Sequence, residues 1–221
     1  MVNSVKVKKV TSDHLESSYC CMNEVPPGAS WASALPASRN WFRDNMGKHV
    51  EGYHIVDGEK VIGHIYWETS ERALIPYDIE PKVACIYCTW VLRDYLHKGY
   101  GRMMFDRMKD DLKKQGYKGI LVDATGFKEF MYYELFAKQG FRVIKEHDHF
   151  KLMYFPLLKQ TVEAEPMKPR YKPSEDKVEV TLFYNFSLCP VGAYMYDLYK
   201  RVAKGFGDKV KIVEIKITLK Q

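Results

Sequence analysis

Residues 91–102, Val91-Leu92-Arg93-Asp94-Tyr95-Leu96-His97-Lys98-Gly99-Tyr100-Gly101-Arg102, place two closely spaced glycines and several basic side chains between an apolar run and a segment of helical periodicity. The chemistry this offers is anion binding. The first turn of a helix has unpaired N–H donors and a partial positive charge, and glycine lets a phosphate approach the main chain. A pyrophosphate is the natural guest. The segment is neither the dinucleotide fingerprint nor a P-loop, because the further glycine of the one and the Gly-Lys-Ser/Thr ending of the other are absent.

No metal site is expected. His147-Asp148-His149 falls between two strand-like runs and reads as a polar turn, and no His-Glu-x-x-His spacing occurs. Cys85 and Cys88 form a Cys-x-x-Cys inside the apolar run 83–91. On a strand, residues three apart face opposite sides, so the pair is expected to be two small core side chains. Five cysteines, an odd number, behind an N-terminus without the apolar stretch of a secretory signal argue for reduced thiols and a cytoplasmic protein. The net charge of +6 comes from Lys and Arg interspersed with Asp and Glu, as in Lys109-Asp110-Asp111-Leu112-Lys113-Lys114, which is the pattern of a solvated helix face. No apolar run reaches the length of a membrane span. Neither a nucleic acid nor a membrane is expected as a partner.

The elements around this loop follow from periodicity. A strand is expected over residues 5–10, then a helix capped by Ser12 or Asp13 and running through Cys21. Residues 31–45 read as helical with a break at Pro36. Residues 49–56 and 60–68 flank Asp57-Gly58 as a hairpin, 70–81 is a loop, and 83–92 is apolar enough for a central strand covered on both faces. Gly101, Met104, Phe105, Met108 and Leu112 recur on one helix face, and Gly116 ends that helix. A buried strand at 120–122, a helix over 129–139 and a hairpin from 141–144 with 150–155 complete a mixed α/β layer.

In this order, the strand, glycine loop and helix resemble the GNAT superfamily of N-acetyltransferases, whose signature is Arg/Gln-x-x-Gly-x-Gly/Ala after the fourth strand. The likeness covers residues 1–156 in element order and is most specific over 83–141. It implies a mixed-sheet GNAT fold in which the fourth and fifth strands splay, with the pantetheine of acetyl-CoA in the gap. The implied cofactor-binding residues are Val91, Leu92, Arg93, His97, Lys98, Gly99, Tyr100, Gly101 and Arg102, the main chain near Val91 aligning and polarising the thioester carbonyl. Leu96 stands where the signature has Arg or Gln, which leaves the phosphate contact there to the backbone. Phe136 stands where the family often has its general-acid tyrosine, four residues before Gly140-Phe141, and Tyr132 and Tyr133 on the same helix are the phenols that would replace it. An amine acceptor must lose a proton to attack, and Glu68 and Glu80 are the carboxylates expected to take it, with Asp78 and Asp123 as further candidates.

Residues 158–177 hold Pro166, Pro169 and Pro173 among charged side chains and read as a linker. Beyond it, residues 178–184, 191–204 and 209–217 form a strand-helix-strand unit with Cys189 at the start of its helix, where a thiol can have a lowered pKa. The unit resembles the start of a thioredoxin-like domain, and its combination with a GNAT domain resembles the YoaP-type acetyltransferases. Gly192 stands in the place of a second cysteine, so dithiol redox chemistry is not expected. The expected organisation is a GNAT-like domain over 1–157, a linker over 158–177 and a partial thioredoxin-like unit over 178–221. The expected function is transfer of an acetyl group from acetyl-CoA to a small-molecule or peptide amine by direct attack, with a homodimer left open. A noncatalytic acyl-CoA-binding or interaction module is the alternative.

Overall fold

Alternating apolar side chains over residues 5–10 give a strand, β1 (Lys6–Lys9), in the computed structural model, which describes residues 5–26, 28–168, 178–184 and 189–216. The helix expected up to Cys21 is replaced by 3-10 turns at Ser12–His14 and Cys20–Glu24. The cause is local: the Ser17 and Ser18 hydroxyls donate to the carbonyls of His14 and Leu15, competing with a helical ladder, and Tyr19 turns left-handed at φ 61°. After a third 3-10 turn, Ser30–Ala34, comes α1 (Leu35–Asn45). Pro36 starts this helix instead of breaking it, because in the first turn its missing N–H is not needed.

β2 (Val50–Asp57) and β3 (Lys60–Thr69) form the expected antiparallel hairpin. Its two-residue loop is Gly58-Glu59, with Gly58 at φ 61°, one residue later than Asp57-Gly58 suggests. β4 (Tyr77–Ile79) lies within the segment expected to be loop, and β5 (Val83–Val91) is the apolar central strand. A 3-10 turn, Arg93–Tyr95, leads to α2 (Tyr100–Lys114). Burial of its Met104, Phe105, Met108 and Leu112 fastens α2 to the sheet, each side chain contributing about 1.5–3 kcal/mol.

Then follow β6 (Gly119–Thr125), α3 (Tyr133–Ala137), β7 (Arg142–His147) and β8 (Phe150–Pro156). The helix expected over 129–139 is shortened at its start. Thr125 Oγ1 accepts the N–H of Phe127 and donates to the carbonyl of Phe130, while Met131 is left-handed at φ 46°, so the chain stays a loop until Tyr132. The seven-stranded sheet has the order β1-β2-β3-β5-β6-β8-β7, and only β5 and β6 run parallel. α2 and α3 bury their apolar sides on one face, and α1 with the N-terminal 3-10 turns covers the other.

The segment expected to be a linker is structured in its first half. β9 (Ala164–Pro166) pairs antiparallel with β4, Ala164 enters a cluster with Tyr77, Ile79, Cys85 and Leu121, and Lys159 bonds Glu80 at 2.9 Å. Residues 169–177 of that segment lie outside the described residues. Beyond them, β10 (Val178–Tyr184), α4 (Pro190–Lys204) and β11 (Val210–Lys216) form a strand-helix-strand unit whose strands pair in parallel, and α4 packs against Ser30–Ala34 and α1. No described helix is long and apolar enough to cross a membrane.

A chain ending at Leu157 loses the β4–β9 pairing and the Lys159 bond to Glu80. At an expected cost of about 2 kcal/mol its melting temperature falls by roughly 4–8 °C, measured by calorimetry beside the full chain.

Candidate active site

The site begins where a ladder stops. β5 pairs in parallel with β6 from Val83↔Gly119 to Ile86↔Val122 and no further. On its other edge β5 stays bonded to β3 as far as Val91, but the register skips between Tyr66↔Cys88 and Trp67↔Ile86, leaving Tyr87 as the extra residue of a bulge. Past the bulge the strands part. Residues 87–91 and 123–125 then form the two walls of a gap, and the peptide groups of β5 that face it have no strand partner among the described residues.

At the end of β5, Glu24 pins the exit. Its carboxylate accepts the Trp90 indole N–H at 2.9 Å and the Arg93 backbone N–H at 2.5 Å, while the Leu92 N–H donates to the Ile62 carbonyl. The chain then needs two left-handed residues, His97 at φ 62° and Gly99 at φ 81°, to aim α2 back along the gap. The positive φ favours glycine there, and a Cβ would meet nothing within 4 Å, so the space beside the main chain is open. The Lys60 and Lys98 ammoniums lie 5.4 and 5.1 Å from the Tyr95 ring centre, and that ring is 6.3 Å from the ring of Tyr100, the first residue of α2, whose first-turn N–H groups have no partner within the helix. Leu96 is 43% exposed and donates only its backbone N–H, to the Arg93 carbonyl.

The face of the sheet opposite α2 carries a different set. His54 and His64 face each other across β2 and β3, both buried. Burial pushes each imidazole down to about 3. The His64 ring stacks on Tyr66 at 4.6 Å and lies between two thiols, Cys20 Sγ 3.2 Å from Nδ1 and Cys88 Sγ 3.4 Å from Nε2. Tyr87, the bulge residue, donates its hydroxyl to Glu68 at 2.6 Å and accepts the Leu74 N–H. Burial raises Glu68 above the ordinary carboxylate range, against the opposing effect of that Tyr87 bond. A cavity of about 490 Å³ lies under the N-terminal segment with Cys20 in its wall, and none of its lining residues belongs to the gap.

The acetyltransferase (GNAT) family model matches residues 15–141, over half of the chain's 221 residues. The chain belongs to the GNAT family. A search of curated proteins finds no match. Among solved structures it is similar to the ribosomal-protein-S18-alanine N-acetyltransferase of Escherichia coli, at 16% identity and a TM-score of 0.51 over 70% of this chain and 94% of that one. It is also similar to YhbS of Escherichia coli in complex with CoA, at 14% identity and a TM-score of 0.52 over 71% and 83%. A third likeness is to the PaiA N-acetyltransferase of Thermoplasma acidophilum in complex with coenzyme A, at 14% identity and a TM-score of 0.50 over 69% and 99%. At these identities the likenesses concern the GNAT fold.

The expected site residues separate into those at the gap and those away from it. Val91, Leu92, Arg93 and the run from His97 to Arg102 line one continuous path from the end of β5 into α2. Asp123 is the first residue of β6 past the paired stretch; its Oδ1 is buried with no hydrogen-bond partner among the described residues, and burial raises its pKa against the pull of His147. Asp78 is exposed on β4. Glu80 sits before the paired end of β5 and bonds Lys118 at 2.7 Å and Lys159 at 2.9 Å. Burial would raise this carboxyl, but those ammoniums and the Glu163 N–H outweigh it and hold it at about 2. That is the environment of a structural anion.

Tyr132 is outside α3, in extended conformation and bridged to Thr125 at the end of β6, and Tyr133 opens the helix. The Tyr132 hydroxyl donates to Glu134 at 2.8 Å, which with some burial pushes its pKa up to about 12. Phe136 is fully buried against Phe105 and Phe141. Cys189 is not acidified by its helix start: burial raises it and outweighs the Val191 and Gly192 N–H groups. Cys85 and Cys88 face the same side of the sheet, opposite Glu68 and Tyr66, because the bulge at Tyr87 resets the alternation. His64, Cys20 and Tyr87 escaped the sequence reading, although His64 and Tyr66 alternate on β3 as residues sharing a face do.

Glu80→Gln is expected to lower the melting temperature at neutral pH by a few degrees without changing turnover. Because the folded pKa is depressed, that stabilisation is full above the ordinary carboxylate pKa, 4.5, and fades as pH falls toward about 2, so the two melting curves converge in acid. Asp123→Asn should instead reduce kcat at an unchanged melting temperature, and Glu68→Gln, which weakens the bond that anchors Tyr87, should lower both.

Proposed function

We propose that this GNAT protein transfers an acetyl group from acetyl-CoA to an amine by direct attack. Family membership makes it an acyl-CoA-dependent N-acyltransferase by class. The observation that carries the reading is the parting of β5 from β6 at the Tyr87 bulge, with the opened gap leading to the N-terminus of α2.

The residues fit coenzyme A. The N–H groups at the start of α2 and the Lys98, Arg93 and Arg102 cations suit the phosphates, and Gly99 leaves the main chain open to them. We assign the peptide groups of residues 87–91 that face the gap to align the pantetheine and polarise the acyl carbonyl, a role supported by the end of the β5–β6 pairing at Ile86. Coenzyme A, when bound, supplies an activated acyl thioester. Alignment in the gap then provides most of the acceleration. We assign Asp123, and Glu68 through the Tyr87 hydroxyl, to take the proton of the attacking amine; the upward shift of both carboxyls, caused by burial, supports that role. Tyr132 and Tyr133 remain the phenols proposed to protonate the leaving thiolate. We also assign residues 1–157 to the catalytic unit and residues 178–221 to a partial thioredoxin-like unit of the YoaP type. The parallel β10–β11 pair joined by α4 supports that assignment. Phe136 and Leu96 favour the second reading, a noncatalytic acyl-CoA-binding module.

Saturating coenzyme A should raise the melting temperature by about 5–10 °C, and Gly99→Asp should abolish the rise by adding strain and negative charge. An absent rise in the wild type removes both readings. Acetyl-CoA consumption against a set of amines separates them: turnover establishes the enzyme, and binding without turnover leaves the module. Tyr132→Phe and Tyr133→Phe are compared with Phe136→Tyr. A fall in kcat at constant CoA affinity in one of the first two identifies the acid, and a gain in the third shows the family's position to be vacant.

A further inference from the structure

Leu96 gives the loop between β5 and α2 no polar side chain at that position, and the fold brings a cation to the same neighbourhood from another element. Lys60 is the first residue of β3, just beyond the Gly58-Glu59 turn. Two residues on, the Ile62 carbonyl accepts the Leu92 N–H at 2.9 Å, so the start of β3 lies against the turn Arg93–Tyr95. The Lys60 ammonium lies 5.4 Å from the centre of the Tyr95 ring, and the Lys98 ammonium of the glycine loop lies 5.1 Å from the same centre. That ring is half-buried against the core and stands 6.3 Å from the ring of Tyr100, where α2 begins.

Two exposed lysines from elements 38 positions apart are thus gathered at one aromatic ring. Like charges repel, and long side chains free to separate in water would do so. The electron-rich face of the ring offers each ammonium a reason to stay. Among the described residues neither ammonium has a carboxylate partner, so the charge gathered there is not cancelled by the protein itself. The first turn of α2 adds its own partial positive charge close by. A group with two negative charges side by side, a pyrophosphate, answers both lysines and the helix start together.

We infer that Lys60 is a cofactor-binding residue: from the β2–β3 hairpin it supplies the side-chain charge that Leu96 does not, with its ammonium on the pyrophosphate of acyl-CoA and Tyr95 as the residue that positions it. The inference rests on the acyl-CoA reading above and deepens it by carrying the phosphate site beyond the glycine loop. Lys98 moves with the loop that bears it. Lys60 is delivered by a hairpin bonded into the sheet, so its contribution is set in place by the core before the cofactor arrives.

Dissociation constants for the full-length protein are measured by titration calorimetry with two probes, coenzyme A and 3′-dephospho-coenzyme A. Lys60→Ala should weaken both by the same factor, roughly fivefold, and Lys60→Arg should keep most of the affinity. The factor should shrink toward one in about 0.5 M salt, because exposed charges are screened. Tyr95→Leu, which keeps apolar bulk but loses the ring face, should give the same loss with the same salt dependence, and Tyr95→Phe should bind like the wild type. Without ligand, Lys60→Ala should melt with the wild type. Equal affinity in Lys60→Ala and the wild type overturns the inference and leaves the acyl-CoA reading standing. A loss seen with coenzyme A and absent with the dephospho form puts the lysine on the 3′-phosphate and overturns it as well. If the wild type binds neither probe, the acyl-CoA reading falls and the inference falls with it.

Discussion

Peptide groups on the β6 side of β5 have a partner strand only as far as Ile86, and the rest of the site is arranged around that interruption. A strand in the middle of a sheet normally has both edges satisfied, and buried N–H and C=O groups left unpaired cost free energy comparable to a lost hydrogen bond. β5 tolerates the loss because its other edge stays on β3 through Val91 and because the extra residue of the bulge is anchored by its own side chain, Tyr87 to Glu68 and Leu74. The interruption therefore has a fixed position. Glu24 fixes the exit of the strand in the same way. What remains unpaired is a row of oriented dipoles that a ligand can satisfy.

The two sides of the gap differ electrically. On the side of α2 the chain presents exposed cations and unpaired N–H groups, a setting for multiple negative charges. On the opposite face burial works against charge: His54 and His64 are held neutral, and Glu68 and Asp123 are pushed toward their neutral forms. Burial on that face favours neutral forms, the form in which an attacking amine must also be.

What could be read from the sequence was what is local. The glycine loop, the amphipathic face of α2 and the β2–β3 hairpin depend on residues within a few positions of one another, and each was placed correctly to within a residue or two. The bulge at Tyr87 could not be read, because a run as uniformly apolar as Val83–Val91 has no alternation to interrupt; the facing of Cys88 was lost with it. The ion pairs of Glu80 could not be read for another reason. Its partners Lys118 and Lys159 lie 38 and 79 positions away, and nothing near residue 80 marks it as bound. Pro36 was read as a breaker when its place in the first turn makes it a starter, and α3 was overextended because Thr125 holds the preceding loop from outside the periodic stretch.

The contacts of Glu80 and β4 also set an order in time. During synthesis the chain emerges from its N-terminus, so β4 is made long before β9, the strand that covers it. Glu80 can meet Lys118 only after α2 has been made, and Lys159 and the Glu163 N–H only after the whole seven-stranded sheet has been made. Until then a carboxylate destined for burial keeps its water, and the cluster that Ala164 completes stays open on one side. The far end of the parallel β5–β6 pair is thus sealed last, by residues that follow the sheet they close. A nascent chain paused before residue 159 would carry a complete cofactor loop on a sheet whose opposite end is still wet.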